Sequence, residues 1–144
     1  MKRIMATTER NETTDTAVSP PRSSARLAPR QRPKITQGVT FRVRLGCQTN
    51  LFITINEDKK GLNEVFLSLG KSGGCVASHI EAMGRLISLA LRCNIDPKMI
   101  IDQLQTIRCP SPSFNIANPI HSCADAVAKS LDTFLSQHRQ NGNK

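Results

Sequence analysis

LGKSGGCVASHIEAMGRLISLALR, residues 69–92, is the stretch that decides the fold. It opens on a glycine-rich turn (Gly70, Gly73, Gly74) and passes into an apolar-periodic segment. Val76, Ile80, Met83, Ile87, Ala90 and Leu91 recur at spacings of three and four, which sets them on one face of a helix. Ala82, Leu86 and Leu89 widen that face, and the helical part carries only Glu81, Arg85 and Arg92 as charged groups. A helix this apolar needs cover, so the pattern predicts a long central core helix. Its N-cap is expected near Ser72 or Gly73, with free N–H groups beside Cys75. Gly70-Lys71-Ser72 ends like the phosphate-binding loop GxxxxGK[ST], but the first glycine of that pattern would fall on Val65, so the match fails. A tight strand-to-helix turn is the expected role; weak anion binding at the helix N-terminus is the alternative.

Upstream, the period changes from 3.6 to 2. Val39, Phe41, Val43 and Leu45 alternate with Thr40, Arg42 and Arg44. Leu51, Ile53 and Ile55 alternate with Phe52, Thr54 and Asn56, and Glu64–Leu69 reads as a third strand. The connections are short: Gly46–Asn50, which holds Cys47, and the polar turn Asn56–Gly61. Such connections predict an antiparallel three-stranded meander. The adjacent Glu57 and Asp58, beside Lys59 and Lys60, read as a solvated turn.

Downstream, Asp96-Pro97 is a helix start, with Asp as N-cap and Pro at the first helical position. The second helix is expected through Ile100, Ile101, Leu104 and Ile107, stopping before Cys109-Pro110. Residues 109–122 read as an irregular loop. Residues 124–138 form a last helix with Ala126, Val127, Ser130, Leu131 and Phe134 on one face, and residues 139–144 a frayed tail.

The composition limits the partners. Net charge is +9, so a polyanion must be considered. Residues 1–36 hold eight Lys/Arg against three acids, more than half of the excess in a quarter of the chain. Residues 1–34 are poor in apolar side chains and are expected to be a disordered basic arm ahead of a domain at 35–138. Arginines 22, 26, 30 and 32 with Lys34 suit phosphate contacts, but no aromatic is interleaved with them to stack on bases. No run of eighteen apolar residues and no apolar leader occurs, which predicts a cytoplasmic protein without a membrane span. Five cysteines without short paired spacing then predict free or metal-bound thiols in a reducing compartment.

Several separated stretches share one resemblance. EVFLSLGKSGG (64–74), EAMGRLISLALR (81–92), IDPKMIIDQLQTIRCPSP (95–112) and SCADAVAKSL (122–131) resemble the TSCPD domain, with RPKITQGVTFRV (32–43) and ITINED (53–58) in keeping. The resemblance covers roughly residues 33–135. In the naming motif, His121 and Ala124 stand where the family has Thr and Pro, while Cys123 and Asp125 remain. The domain occurs at the C-terminal end of adenosylcobalamin-dependent (class II) ribonucleotide reductases and as small stand-alone proteins. The resemblance therefore implies an accessory module of a separate class II ribonucleoside-diphosphate reductase, supporting deoxyribonucleotide and hence DNA synthesis without the catalytic barrel. Adenosylcobalamin would enter only through that partner.

The cysteines admit three readings. Cys47, Cys75, Cys109 and Cys123 all fall at element junctions, where they suit a tetrahedral zinc site, with His79 or His121 as a substitute ligand. Alternatively, two of them relay electrons to a reductase. In the third reading they are small packed thiols. Cys93 lies apart, just past the central helix. No Ser/His/Asp arrangement or other independent active site can be built. The expected architecture is an α+β domain: a small antiparallel sheet on a long central helix, then two more helices. The alternative function is a small zinc-stabilised nucleic-acid-binding or scaffold protein using the basic arm with Arg42, Arg44, Arg85 and Arg92.

Overall fold

The computed structural model describes residues 27–47, 49–70, 74–114 and 118–141. Three strands are followed by three helices: β1 Gln37–Arg44, β2 Asn50–Asp58, β3 Gly61–Leu69, α1 Cys75–Arg92, α2 Pro97–Leu104 and α3 Cys123–Asn141. The α+β class and the antiparallel meander are as expected, with strand order β1-β2-β3. The register lines up Val43, Leu51 and Leu69, then Phe41, Ile53 and Leu67, then Val39, Ile55 and Val65. These rows form the inner face, where Leu51, Ile53 and Ile55 are fully buried. The alternate rows, including Arg42, Phe52 and Ser68, form the outer face. The period of two therefore put the right side chains together.

The helices are arranged otherwise than expected. α1 is long, but it is not the centre. It leans on β3 and buries Ile80, Ile87 and Leu91, while Val76, Leu86 and Leu89 stay 58%, 67% and 42% exposed. The central place belongs to α3, which packs on β2 and on α2 and buries Ala126, Val127, Leu131 and Phe134 at 2% exposure or less. The physical reason lies in two small residues of α1. A Cβ on Gly84 would stand 3.2 Å from the Leu67 side chain and 3.3 Å from the Val65 carbonyl. Four residues on, the Ser88 hydroxyl accepts from the Val65 N–H at 2.9 Å and lies 3.0 Å from the Val65 carbonyl oxygen. α1 thus comes in close at the free edge of β3 and satisfies backbone groups that an edge strand leaves open.

Asp96 caps α2 as expected, accepting from the Lys98 N–H at 2.9 Å, with Pro97 in the first turn. The helix ends at Leu104, earlier than expected. Just beyond it the Ile107 carbonyl accepts from the Ser122 hydroxyl (2.7 Å) and Cys109 N–H donates to the His121 carbonyl (3.0 Å), which draws the chain across to the start of α3. Glu81 and Arg85 pair on the solvent side of α1. The N-cap of α1 is Gly74, at φ 84°; Ser72 and Gly73 lie outside the described residues.

The expected disordered arm falls mostly on residues 1–26, which also lie outside the described residues. Residues 27–34 are described, and two arginines tie them to the fold. Arg30 pairs with Asp58 at 3.0 Å, donates to the Leu62 carbonyl, and gives its own N–H to the Arg92 carbonyl at 3.0 Å. Arg32 pairs with Glu64, whose side chain is 8% exposed. Asp58 is thus an anchor for this strap and not a solvated turn residue, its side chain being 16% exposed. The polar turn is tighter than the expected Asn56–Gly61: β2 runs on to Asp58 and β3 begins at Gly61, ahead of the expected Glu64, so only Lys59 and Lys60 turn, with the Asp58 carboxylate accepting from the Lys60 N–H.

Candidate functional site: a three-thiol cavity

Three chain segments meet at one end of the domain. The β1–β2 connection supplies Cys47, the segment after α2 supplies Cys109, and the first turn of α3 supplies Cys123. They line a small cavity of about 10 Å³ together with Gly46, Ser122 and Ile120. That volume is about one water-sized sphere.

Each segment is held locally. Ser113 and Ile120 exchange both backbone hydrogen bonds at 2.8 Å, closing the loop between α2 and α3. Gly46 lets the β1–β2 connection reach it: a Cβ there would stand 2.3 Å from the Ser111 carbonyl oxygen and 2.5 Å from that of Pro112. Because those neighbours are backbone, Gly46→Ala must push the two segments apart. The expected result is a loss of about 1–3 kcal/mol in urea unfolding, with faster native reaction of Cys109 and Cys123 toward a thiol reagent.

The start of α3 is fixed by a cap that the sequence reading passed over. The Asp125 N–H donates to the Ser122 hydroxyl oxygen at 3.0 Å, and the Asp125 carboxylate accepts from the His121 N–H at 2.8 Å. The pattern Ser-x-x-Asp at 122–125 was the available signal, since a hydroxyl residue followed three on by an acid is a capping box. Asp125, 1% exposed, also holds Lys129 at 2.9 Å. This cap sets the turn on which Cys123 stands.

Burial, and then the nearness of Cys47 and Cys109, push the Cys123 thiol above its ordinary value of 9.0. The folded chain therefore holds this proton more tightly than the unfolded chain. The stability that results is fully present below pH 9.0 and is lost as pH rises through the elevated value. The urea midpoint of metal-free protein should accordingly fall on the alkaline side of pH 9.0, and Cys123→Ser should shrink that fall.

Of the four candidate ligands, Cys47, Cys109 and Cys123 come together. Cys75 is exposed at the first position of α1 and is not part of the cavity wall. His79, a proposed substitute, lies 2.6 Å by Nδ1 from the Cys75 carbonyl, and His121 enters the network through its backbone. Cys93 caps the C-terminus of α1, apart from the others as expected. As the side chains stand, no three Cys, His, Asp or Glu groups among the described residues have metal-holding spacing.

A family model described as the TSCPD domain matches residues 21–135. No curated protein and no solved structure matches the chain. Among the described residues, no helix is long and apolar enough to cross a membrane.

Proposed function

We propose a function from one premise: this chain belongs to the TSCPD domain family. It acts as a non-catalytic partner of a separate cobalamin-dependent ribonucleoside-diphosphate reductase, in the cytoplasm, and supports the supply of deoxyribonucleotides. The observation that carries the reading is the family match itself, which extends over residues 21–135. Adenosylcobalamin belongs to the reductase and has no part in this chain.

The thiol cavity gives the module its own chemistry. Three cysteines lining one cavity of about an ion's size are a donor set that suits zinc once their thiols turn inward, with thiolate the preferred ligand. Cys47, Cys109 and Cys123 are the residues that would hold the ion; Cys75, exposed at the start of α1, lies outside the cavity wall. Binding requires the thiols to give up protons and to turn inward, so affinity rises with pH. Bound zinc would tie the β1–β2 connection, the α2–α3 segment and α3 together, a structural role.

The outer side of α1 is where a partner polypeptide would sit. Leu86 and Leu89 are exposed there with Ala82, one turn apart along the helix. The test is co-elution of the full chain with a class II reductase on gel filtration, with reductase turnover measured alongside. Co-elution and altered turnover are expected. The double variant Leu86→Glu, Leu89→Glu should lose co-elution and keep its unfolding midpoint, because both side chains already face solvent. Separate elution with unchanged turnover contradicts the reading.

A further inference from the structure

The outer face of the sheet has a composition that the packing of the domain does not use. Across it run Arg42, Phe52 and Ser68 in one row and Thr40, Thr54 and Phe66 in the next. Phe66 is 49% exposed, and Thr40, Arg42, Arg44 and Ser68 are exposed. Helices α1 and α3 occupy the edge and inner face, and among the described residues this side keeps Phe66 exposed beside α1 and Phe52 half-buried. Phe52 and Phe66 stand on neighbouring strands, displaced by two residues. That diagonal places their Cβ atoms roughly 7 Å apart, within reach of two neighbouring bases.

The charge of the face is equally one-sided. Glu64 is the acid on its rows, and it is covered by Arg32, whose guanidinium also lies 5.7 Å over the Phe66 ring. The other strand carboxylates are engaged elsewhere: Asp58 with Arg30 and Glu57 near His138. Arg42 and Arg44 flank the aromatic rows from β1, and the chain as a whole carries +9. An exposed and a half-buried aromatic on the open face of a sheet, bordered by guanidinium groups, offer stacking to unpaired bases and counter-charge to phosphates.

We propose that this face binds single-stranded nucleic acid, with Phe52 and Phe66 stacking on two bases and Arg42 contacting the phosphate backbone. Thr40 and Thr54, whose hydroxyls lie 2.9 Å apart in the row that ends on Phe66, give the strand polar groups without demanding a base identity. Duplex presents no free base faces to these rings, so the geometry favours the single strand. The inference is independent of the reductase partnership.

The test is fluorescence anisotropy of the full chain with labelled oligothymidylate and oligouridylate of about twelve nucleotides, over a range of salt. Binding that weakens with salt is expected. Phe66→Leu, which keeps an apolar side chain at an exposed site but removes the π face, should weaken it by about five- to 150-fold. Phe52→Leu should do the same. If Phe52→Leu unfolds by circular dichroism, Phe66→Leu alone decides. Arg42→Gln should lower the salt slope by about one. No binding of either oligomer overturns the proposal. So does equal affinity for duplex, or tight binding that neither phenylalanine substitution changes, which would move the contact to the basic residues before β1. A preference between the two oligomers tells DNA from RNA.

Discussion

Phe134→Ala should lower the unfolding free energy by about 3–5 kcal/mol. Phe134 is 2% exposed on α3, the helix that packs on the central strand, and belongs to the main cluster of buried side chains with Leu131, Val127 and Ile53. Its ring also meets that of His138, with centroids 4.2 Å apart. The chain has no Trp or Tyr and only five Phe, and Phe134 is the one that is fully buried, Phe41 packing only at the margin of the core. Removing the ring leaves a hole among short aliphatic side chains fixed by two layers of structure. A domain of this size has about 5–15 kcal/mol in total, so the variant should melt well below the parent, on the order of 15 °C lower or more. Thermal and urea unfolding by circular dichroism measure it. A change under about 1 kcal/mol would mean that α3 does not hold the core in the way described.

The second large effect is at Asp125. Asp125→Ala should cost about 2–4 kcal/mol. The carboxylate is nearly inaccessible and accepts from the His121 N–H and from Lys129. Lys129 is 31% exposed, so solvent screens that pair, and the greater loss is the half-buried His121 N–H left without its acceptor. The carboxylate also lies in the first turn of α3, where the helix dipole favours a negative charge. Asp125→Asn keeps an acceptor of the same shape and should lose about half as much. The same cap orients Cys123, so Asp125→Ala should also speed the reaction of that thiol in native protein. Equal unfolding midpoints for the Ala and Asn variants would refute the assignment of the larger loss to His121.

Much of this architecture is written in the period of the side chains. Alternation at 39–45 and 51–56 gave two strands and sorted their residues onto the correct faces. Asp96-Pro97 gave the start of α2 because cap and ring geometry are local. What periodicity does not carry is rank among layers. α1 has the wider apolar face in sequence, yet Gly84 and Ser88 send it to an edge, and the narrower stripe of α3 takes the centre. Arg30 and Arg32 read as part of a solvated arm because composition records no partner; theirs lie 28 and 32 residues further on, at Asp58 and Glu64.

The cysteines show the same limit. Intervals along the chain say nothing of distance in space, and the meeting of Cys47, Cys109 and Cys123 depends on two contacts of another kind. One is the backbone approach at Gly46; the other is the Ser122 bridge to the Ile107 carbonyl. Junction placement pointed to all four thiols alike, although Cys75 follows the β3–α1 connection and does not line the same cavity. Phe52 and Phe66 were legible as alternating strand residues. Their exposure was not, because which face lies open is decided only when the helices take their places.

We propose that zinc binds at the end of the domain where Cys47, Cys109 and Cys123 line one cavity. Elemental analysis of untagged protein, with a count of thiols reactive before and after chelation, tests it most directly. The expected result is one zinc per chain, Cys93 reactive throughout, and Cys47, Cys109 and Cys123 released together with a falling melting temperature when the metal is removed. Metal-free protein in which those three cysteines react independently, with a melting temperature that added zinc does not raise, would contradict it.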